Sequence, residues 1–169
     1  MKNITLDYLL ELVEGTRFHK IFRALLGYED EVELFAGIDD SLEANVDELE
    51  EIAGFEIPGD FLHILLLTNG FRIFDFKLFP LTAKNSDKNG MYYINSKSDY
   101  KEKNSIPEEF LVIGEITEKF AVCITYDNEG YITYCLWDKE KKNISITYDY
   151  LIEIIASEID YHNDAFSGE

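Results

Sequence analysis

The sequence predicts a single globular domain of the α+β class. Apolar residues recur at three- and four-residue steps near both ends of the chain, which is typical of amphipathic helices. The region between them is rich in short runs of β-branched and aromatic residues. A length of 169 residues fits one domain, and 46% hydrophobic residues supply a core. The chain is therefore organised as helices first, then mostly strands, then a helix.

Helices are predicted in the first third of the chain and at its C-terminal end. One or two amphipathic helices, interrupted near Gly15, follow from the apolar spacing of Leu6, Leu9, Leu10, Val13, Phe18, Ile21, Phe22, Leu25 and Leu26. A short helix over Asp47 to Phe55 precedes Pro58, which biases Ile57 away from helical geometry. The C-terminal helix is indicated by Tyr148, Leu151, Ile152, Ile155 and Ile159.

A separate, strongly apolar helix is predicted between Pro58 and Gly70. Pro58 suits the first turn of a helix, and Asn69-Gly70 suits the left-handed residues that close one. Its apolar residues cover most of the helical circumference, so we expect it to be buried on more than one side. These residues are Phe61, Leu62, Ile64, Leu65, Leu66 and Leu67. With about a dozen residues, the helix is too short to span a bilayer.

Strands are predicted between the apolar helix and the C-terminal helix. Those expected are Phe71 to Phe76, Lys77 to Leu81, Phe110 to Ile113, Phe120 to Tyr126 and Tyr131 to Trp137. Thr82 to Asn89 is predicted as a polar loop, Gly90 to Lys103 is ambiguous, and Lys139 to Lys142 follows a turn at Asp138.

Residues 127–130, Asp-Asn-Glu-Gly, predict a tight turn between the last two strands. If Asn128 and Glu129 form a two-residue loop, Cys123 faces Tyr134 rather than Cys135. The two cysteines lack Cys or His companions at metal-ligand spacing, so no zinc site is predicted from them. Two buried thiols without a disulfide are expected.

The charge of the chain is strongly negative and unevenly placed. The formal net charge is -19, from 34 acidic and 15 basic residues. Eleven carboxylates and no Lys or Arg occur between Glu29 and Glu51. One interpretation is a solubilising surface, and the other is a field that speeds encounter with a basic partner. Phosphate backbones and anionic lipid surfaces are disfavoured as direct ligands, because they would be repelled.

The residues give little support for catalysis. His19, His63 and His162 are isolated in the sequence, and His63 is expected to be a packed, hydrogen-bonded core residue. Patterns for nucleophilic hydrolases, zinc hydrolases and nucleotide binding are missing from the sequence. Asp39 and Asp40 could hold a hard cation, but so many acids produce such pairs by composition alone. We therefore predict no catalytic residue, metal site or cofactor, and keep a carboxylate-based, metal-assisted hydrolase as a remote alternative.

A succession of motifs over about residues 46 to 157 resembles the SUKH superfamily. It consists of Pro58 opening an apolar helix that closes at Asn69-Gly70, Phe79-Pro80-Leu81, Ile106-Pro107 before a strand reaching Ile113-Gly114, and Leu136-Trp137-Asp138. The chain departs from the pattern in having one Gly after Asn69, where the family commonly has two. It also departs in its acidic N-terminal portion, through about residue 45.

The resemblance implies the α+β class, with a mainly antiparallel sheet flanked by helices in a single domain. Residues 1–45 are then expected to form a helical, acidic N-terminal extension packed on a SUKH-like domain of residues 46–169. It also implies a role without catalysis. Many bacterial members resemble immunity proteins that bind and neutralise a cognate toxin, often a nuclease, of polymorphic or contact-dependent systems. The alternative is a regulatory or scaffold module, because fungal members are linked to control of cell-wall synthesis.

The leading hypothesis from the sequence is an immunity protein whose partner is a basic protein toxin. Residues expected to steer that partner are Glu29, Asp30, Glu31, Glu33, Asp39, Asp40 and Glu43. Tyr92 and Tyr93 are expected to be exposed aromatic anchors, whereas Trp137 is expected in the core. The first twelve residues do not read as a signal peptide and no window reaches 18 apolar residues. The expected location is therefore the cytoplasm.

Overall fold

The computed structural model describes residues 3–37, 42–81 and 88–167. Within these ranges eight strands form one sheet, in which each strand pairs antiparallel with its neighbours along the chain. Seven α-helices accompany the sheet in the described ranges. The prediction of a single α+β domain with a mainly antiparallel sheet and flanking helices is confirmed.

The strands and helices alternate in groups along the chain. The strands are β1 (Asn3–Ile4), β2 (Val32–Ala36), β3 (Thr68–Ile73), β4 (Phe76–Leu78), β5 (Leu111–Ile116), β6 (Phe120–Tyr126), β7 (Ile132–Asp138) and β8 (Asn143–Tyr148). The helices are α1 (Leu6–Leu12), α2 (Arg17–Arg23), α3 (Leu42–Ala53), α4 (Gly59–Leu67), α5 (Met91–Ser96), α6 (Tyr100–Lys103) and α7 (Leu151–Ser167). A 3₁₀ turn over Glu29–Glu31 precedes β2. Helix pairs therefore connect β1 to β2, β2 to β3 and β4 to β5.

Both faces of the sheet are covered at its centre. Five consecutive residues of β6, 121–125, are buried, which requires protein on each side because neighbouring side chains point to opposite faces. On one face the Tyr134 hydroxyl donates to Asp60 of α4, at 2.8 Å. On the other face the Trp137 indole N–H donates to the Asn104 carbonyl, just beyond α6, at 3.0 Å. Trp137 is buried, as predicted.

The N-terminal region is part of the sheet as well as helical. Thr5 and Thr16 cap α1 and α2 with their hydroxyls, and Gly15 between them has a φ of 79°, so the predicted interruption is confirmed. However, β2 pairs with both β1 and β3. The description of residues 1–45 as helical was incomplete, because the alternating Val-Glu-Leu-Phe-Ala of β2 was hidden within the acidic run. The boundary at residues 45/46 stays a prediction.

The apolar helix begins where predicted but ends earlier. Pro58 is its N-cap residue, and α4 ends at Leu67. Asn69 and Gly70 lie within β3 rather than closing the helix. Gly70 does have a positive φ of 90°, and the Asn69 side chain exchanges two hydrogen bonds with the backbone of Leu81, at 2.8 and 3.0 Å. The pair therefore ties β3 to the segment after β4.

Burial of α4 is less complete than its composition suggests. Phe61, Ile64 and Leu65 are buried, whereas Leu66 is exposed. His63 is also exposed, so its prediction as a core residue was wrong. Its ring packs edge-on against Phe18 of α2, with centroids 4.7 Å apart, at the margin of the core.

The β6–β7 hairpin differs from the prediction by one residue in register. Cys123 lies opposite Cys135, because Tyr126 pairs with Ile132 across a longer loop. The Asp127 carboxylate organises that loop by accepting hydrogen bonds from the backbone N–H groups of residues 129 and 131. Both cysteines are buried and free, as expected. Burial also raises the pKa of the Cys123 thiol, which makes it a poor nucleophile.

Three further segments differ from or extend the predictions. The ambiguous region after Gly90 contains α5 and α6, and the helix expected over Asp47 to Phe55 begins earlier, at Leu42. Strand β8 was missed, and it includes Tyr148, which had been assigned to the C-terminal helix. Of the predicted loop Thr82 to Asn89, residues 82–87 lie outside the described residues.

Asp60 connects three elements that are distant in sequence. One carboxylate oxygen accepts the hydrogen bond from Tyr134 of β7, and the other accepts one from the backbone N–H of Leu151, the first residue of α7, at 2.9 Å. The second bond satisfies an N–H group that has no partner within its helix. Burial, together with the nearby Asp60 carboxylate, raises the pKa of Tyr134, so its hydroxyl remains protonated and donates.

We expect Asp60→Ala to lower the free energy of unfolding by about 3 kcal/mol, because two donors lose a charged acceptor. Tyr134→Phe should cost about 1 kcal/mol, and the double variant should cost about 1 kcal/mol less than the sum. Urea unfolding of the four proteins measures this coupling. Glu56→Ala, at an exposed carboxylate of the segment before α4, is the control and should change stability by less than about 0.5 kcal/mol. Strict additivity would contradict the coupling.

Gly114 of β5 allows close approach of the neighbouring strand. A Cβ atom at this position would lie 2.4 Å from the carbonyl oxygen of Lys77 on β4. Gly114→Ala should therefore lower the free energy of unfolding by about 1 to 3 kcal/mol through overpacking. Gly59→Ala is a matched control, since a Cβ there meets nothing within 4 Å, and it should be neutral or slightly stabilising. Equal stability of the two variants in thermal unfolding would contradict the packing argument.

Candidate protein-binding surface

The first part of the acidic run forms an exposed turn followed by a strand. Glu29, Asp30 and Glu31 occupy the 3₁₀ turn, Glu33 follows on β2, and all four are exposed. We call these four residues the acidic turn. The Glu29 carboxylate accepts from the backbone N–H of Gly27 with both oxygens, at 3.0 and 3.1 Å. This hydrogen bonding lowers the pKa of Glu29 and so favours its ionised form.

One guanidinium partly balances the acidic turn. Arg72 lies directly opposite Glu33 in the β2–β3 pairing, with 3.8 Å between Nε and the Glu33 carboxylate. A second approach, of 3.9 Å, joins Nη1 to the Glu31 carboxylate. Because these side chains are well exposed and the separations are long, each pair contributes about 0 to 1 kcal/mol. Four carboxylates against one guanidinium leave a negative surface.

Of the three remaining predicted acidic residues, Glu43 lies within the described part of the chain. Glu43 is exposed on the first turn of α3, whereas Asp39 and Asp40 lie outside the described residues. Glu29, Asp30 and Glu31 precede β2, Glu33 lies on it, and α3 follows it along the chain.

The two tyrosines predicted to be exposed anchors, Tyr92 and Tyr93, are less exposed than two other tyrosines of the chain. Tyr92 is only 9% exposed, so the expectation that it is an exposed anchor was wrong, and Tyr93 is half-buried. The reason is that α5 packs against β5 and buries Tyr92 with its apolar neighbours. Tyr161 on α7 and Tyr131 after the β6–β7 turn are 69% and 68% exposed. Both tyrosines are exposed because they lie on parts of α7 and of the β6–β7 loop that do not pack against the core.

An apolar groove runs between α7 and the sheet. It has a volume of about 470 Å³, and we call it the α7 groove. Apolar side chains from β6, β7, β8 and α7 make up much of its lining, and they are Phe120, Leu136, Ile146, Tyr148, Ile154 and Tyr161. Polar side chains, including Asp75, Lys119 and Glu158, also line it. The groove thus combines exposed apolar surface with charged groups at one site.

The acidic turn and the α7 groove are neighbours. The backbone N–H of Phe74, in the β3–β4 turn, donates to the Glu31 carbonyl at 2.8 Å. Asp75, the next residue, lines the groove. The two features are therefore joined through a two-residue turn and can contact the same partner.

A carboxylate–histidine cluster lies beside the groove. His162 Nε2 is 3.0 Å from the Glu158 carboxylate and 3.3 Å from that of Asp75. Asp75 also donates its backbone N–H to Glu158, at 3.0 Å. The Glu158 side chain is 8% exposed, and burial raises its pKa. The sequence analysis missed this cluster, although the four-residue spacing of Glu158 and His162 on a predicted helix was a partial signal.

The comparisons with known proteins identify the family. A family model described as the SMI1/KNR4 family (SUKH-1) matches residues 41–157. The chain belongs to this family. No curated protein sequence matches the chain. SUKH proteins are generally non-enzymatic, and membership supports a role in protein–protein interaction.

The range of the SUKH match excludes several surface features. The acidic turn precedes residue 41, and Glu158 and His162 follow residue 157. The SUKH match therefore covers strands β3 to β8, helices α3 to α6 and the first part of α7, and it carries no information about the acidic turn, Glu158 or His162. Across residues 3–37, 42–81 and 88–167, none of the helices has the length and apolar character needed to cross a bilayer.

Proposed function

We propose that this SUKH protein is an immunity protein that binds and neutralises a cognate bacterial toxin with a basic surface, such as a nuclease domain. It acts in the cytoplasm, without catalysis of its own, in a polymorphic or contact-dependent toxin system. The observation that carries the proposal is the acidic turn directly beside the α7 groove. SUKH membership supplies the non-enzymatic context.

The acidic turn supplies long-range attraction. Its carboxylates are exposed, and the net charge of the whole chain is -19. A basic partner is therefore steered toward the protein, which raises the association rate at low ionic strength. Nuclease domains carry cationic residues where they hold phosphates, so an acidic inhibitor can occupy the same face.

The α7 groove supplies the short-range contact. Tyr161 and Ile146 line the groove and are exposed, and further apolar side chains, including Phe120 and Leu136, line it beside them. Aromatic residues in desolvated pockets dominate the binding energy of many protein interfaces. Electrostatic steering sets the rate of encounter, whereas contacts in the groove set the lifetime of the complex.

The second candidate function is a regulatory or scaffold module related to control of cell-wall synthesis. The match to the SMI1/KNR4 description favours it to the same extent as it favours the immunity function. Gene context distinguishes the two, because an immunity gene is expected next to a toxin gene and a scaffold gene is not.

The direct experiment measures binding to the C-terminal domain of any large secreted protein encoded next to this gene. Binding is measured at low and physiological salt, and rescue of cells that express the toxin domain is scored in parallel. Tight binding with rescue supports the immunity function. If neither is observed, the scaffold function becomes the leading proposal.

Neutralising the acidic turn tests the electrostatic step. The variant with Glu29→Gln, Asp30→Asn, Glu31→Gln and Glu33→Gln should associate with the toxin about tenfold or more slowly at low salt, with a flatter salt dependence. Its dissociation rate should change little. Stopped-flow mixing over a salt series measures both effects.

The matched control neutralises exposed carboxylates of α3, namely Glu43, Asp47 and Glu51. Because these carboxylates lie outside the acidic turn, this variant should slow association less, per charge removed, than the variant of the acidic turn. An unchanged low-salt association rate in the acidic-turn variant would remove the steering argument.

Tyr161→Ala tests the contact in the α7 groove. We expect a loss of binding free energy of about 2 kcal/mol, through faster dissociation. Tyr131→Ala is the matched control, since Tyr131 is equally exposed but follows the far end of β6. Surface plasmon resonance compares the two dissociation rates. Equal effects would show that the groove is not the contact surface.

A further inference from the structure

We propose that Asp75, Glu158 and His162 form a binding site for a divalent transition-metal ion, with Zn²⁺ as the best-matched ion. The site is independent of the proposed toxin-binding role. The three residues come from two segments that are more than 80 positions apart in the chain, the β3–β4 turn and α7.

The distances between ligand atoms fit a metal site. One ligand atom from each residue lies within 4.8 Å of the other two. The separations of 3.0 and 3.3 Å from His162 Nε2 to the two carboxylates are those of ligands that share one ion at about 2.0 to 2.2 Å. Imidazole nitrogen with carboxylate oxygen favours zinc and similar ions over Mg²⁺ or Ca²⁺, which prefer oxygen ligands alone.

The ligands are held in place by their neighbours. Glu158 and His162 are four residues apart and therefore share one face of α7. The Phe74 ring stacks on the His162 ring, with centroids 4.3 Å apart and planes 7° from parallel. The Asp75 backbone N–H fixes the Glu158 carboxylate, at 3.0 Å. Fixed ligand orientation reduces the ordering cost of binding an ion.

The charge of the cluster also favours a cation. The Glu158 side chain is 8% exposed and the Asp75 side chain is 53% exposed, so a buried and a half-exposed carboxylate approach the same imidazole nitrogen. Paired carboxylates in such a position are stabilised by a positive charge between them.

Metal binding at this cluster uses the lone pair of His162 Nε2. Coordination through Nε2 leaves no proton on that nitrogen, so a proton held there is released to solvent when the ion binds. Three protein ligands leave at least one coordination position for water. The α7 groove, which is lined by both Asp75 and Glu158, provides space for it. The bound ion would link α7 to the β3–β4 turn.

The test measures Zn²⁺ binding to the full chain without a histidine tag, by isothermal titration calorimetry. Asp75→Asn and His162→Gln each remove one ligand, and we expect each to weaken Zn²⁺ binding at least about tenfold. The controls are Asp160→Asn, an exposed carboxylate on α7, and His63→Gln, an exposed histidine on α4. Both controls should bind one Zn²⁺ with the affinity of the unaltered protein. Thermal unfolding in EDTA verifies that all variants fold.

Cobalt substitution provides a second readout. Co²⁺ bound by one nitrogen and two carboxylates should give a visible ligand-field spectrum that is lost in Asp75→Asn and His162→Gln. Saturable 1:1 binding lost in these two variants alone supports the site. The proposal is overturned if Zn²⁺ does not bind saturably. It is also overturned if all four variants bind alike, since the ion then occupies scattered surface carboxylates.

Discussion

The arrangement of the sheet and its last helix depends on the Asp60 carboxylate. It accepts hydrogen bonds from Tyr134 in the core of the sheet and from the first backbone N–H of α7. Both donors would otherwise be left without an acceptor as the helix packs on the sheet, which is costly for buried groups. The position of α7 determines the α7 groove and brings Glu158 and His162 to Asp75. Both proposed binding features therefore depend on an interaction that is remote from either surface.

The acidic residues are placed so that their mutual repulsion is limited while their charge stays available to a partner. A net charge of -19 opposes compaction through self-repulsion. Much of the acidic run stays exposed, and several of its members have structural partners: Glu29 with Gly27, Glu50 with the backbone of Ile57 and Glu33 with Arg72. The same carboxylates thus contribute to local order and to the field outside the protein. The acidic turn contributes one part of that field beside the α7 groove.

Elements with a clear local sequence pattern were predicted correctly from the sequence. The interruption at Gly15, the start of α4 at Pro58 and strand β6 each follow from local geometry or residue preference. Strands in which polar and apolar residues are mixed were not predicted from the sequence. Strand β2 was obscured by acidic residues, and β8 is a largely exposed strand, so neither has the apolar density of a central strand. The register of the β6–β7 hairpin depended on how the Asp127 side chain bonds the loop, which residue identity alone does not specify.

The sequence by itself determined the α+β class, the SUKH resemblance and the acidic character, because these depend on periodicity, motif order and composition. The tertiary structure decided which side chains meet. It buried Tyr92, left Tyr161 exposed, and placed Asp75 against two residues of α7. Such outcomes depend on packing between segments distant in the chain, and local periodicity carries no information about which helix covers which part of a sheet. The candidate binding surface therefore followed from the fold, although its charge was already evident in the sequence.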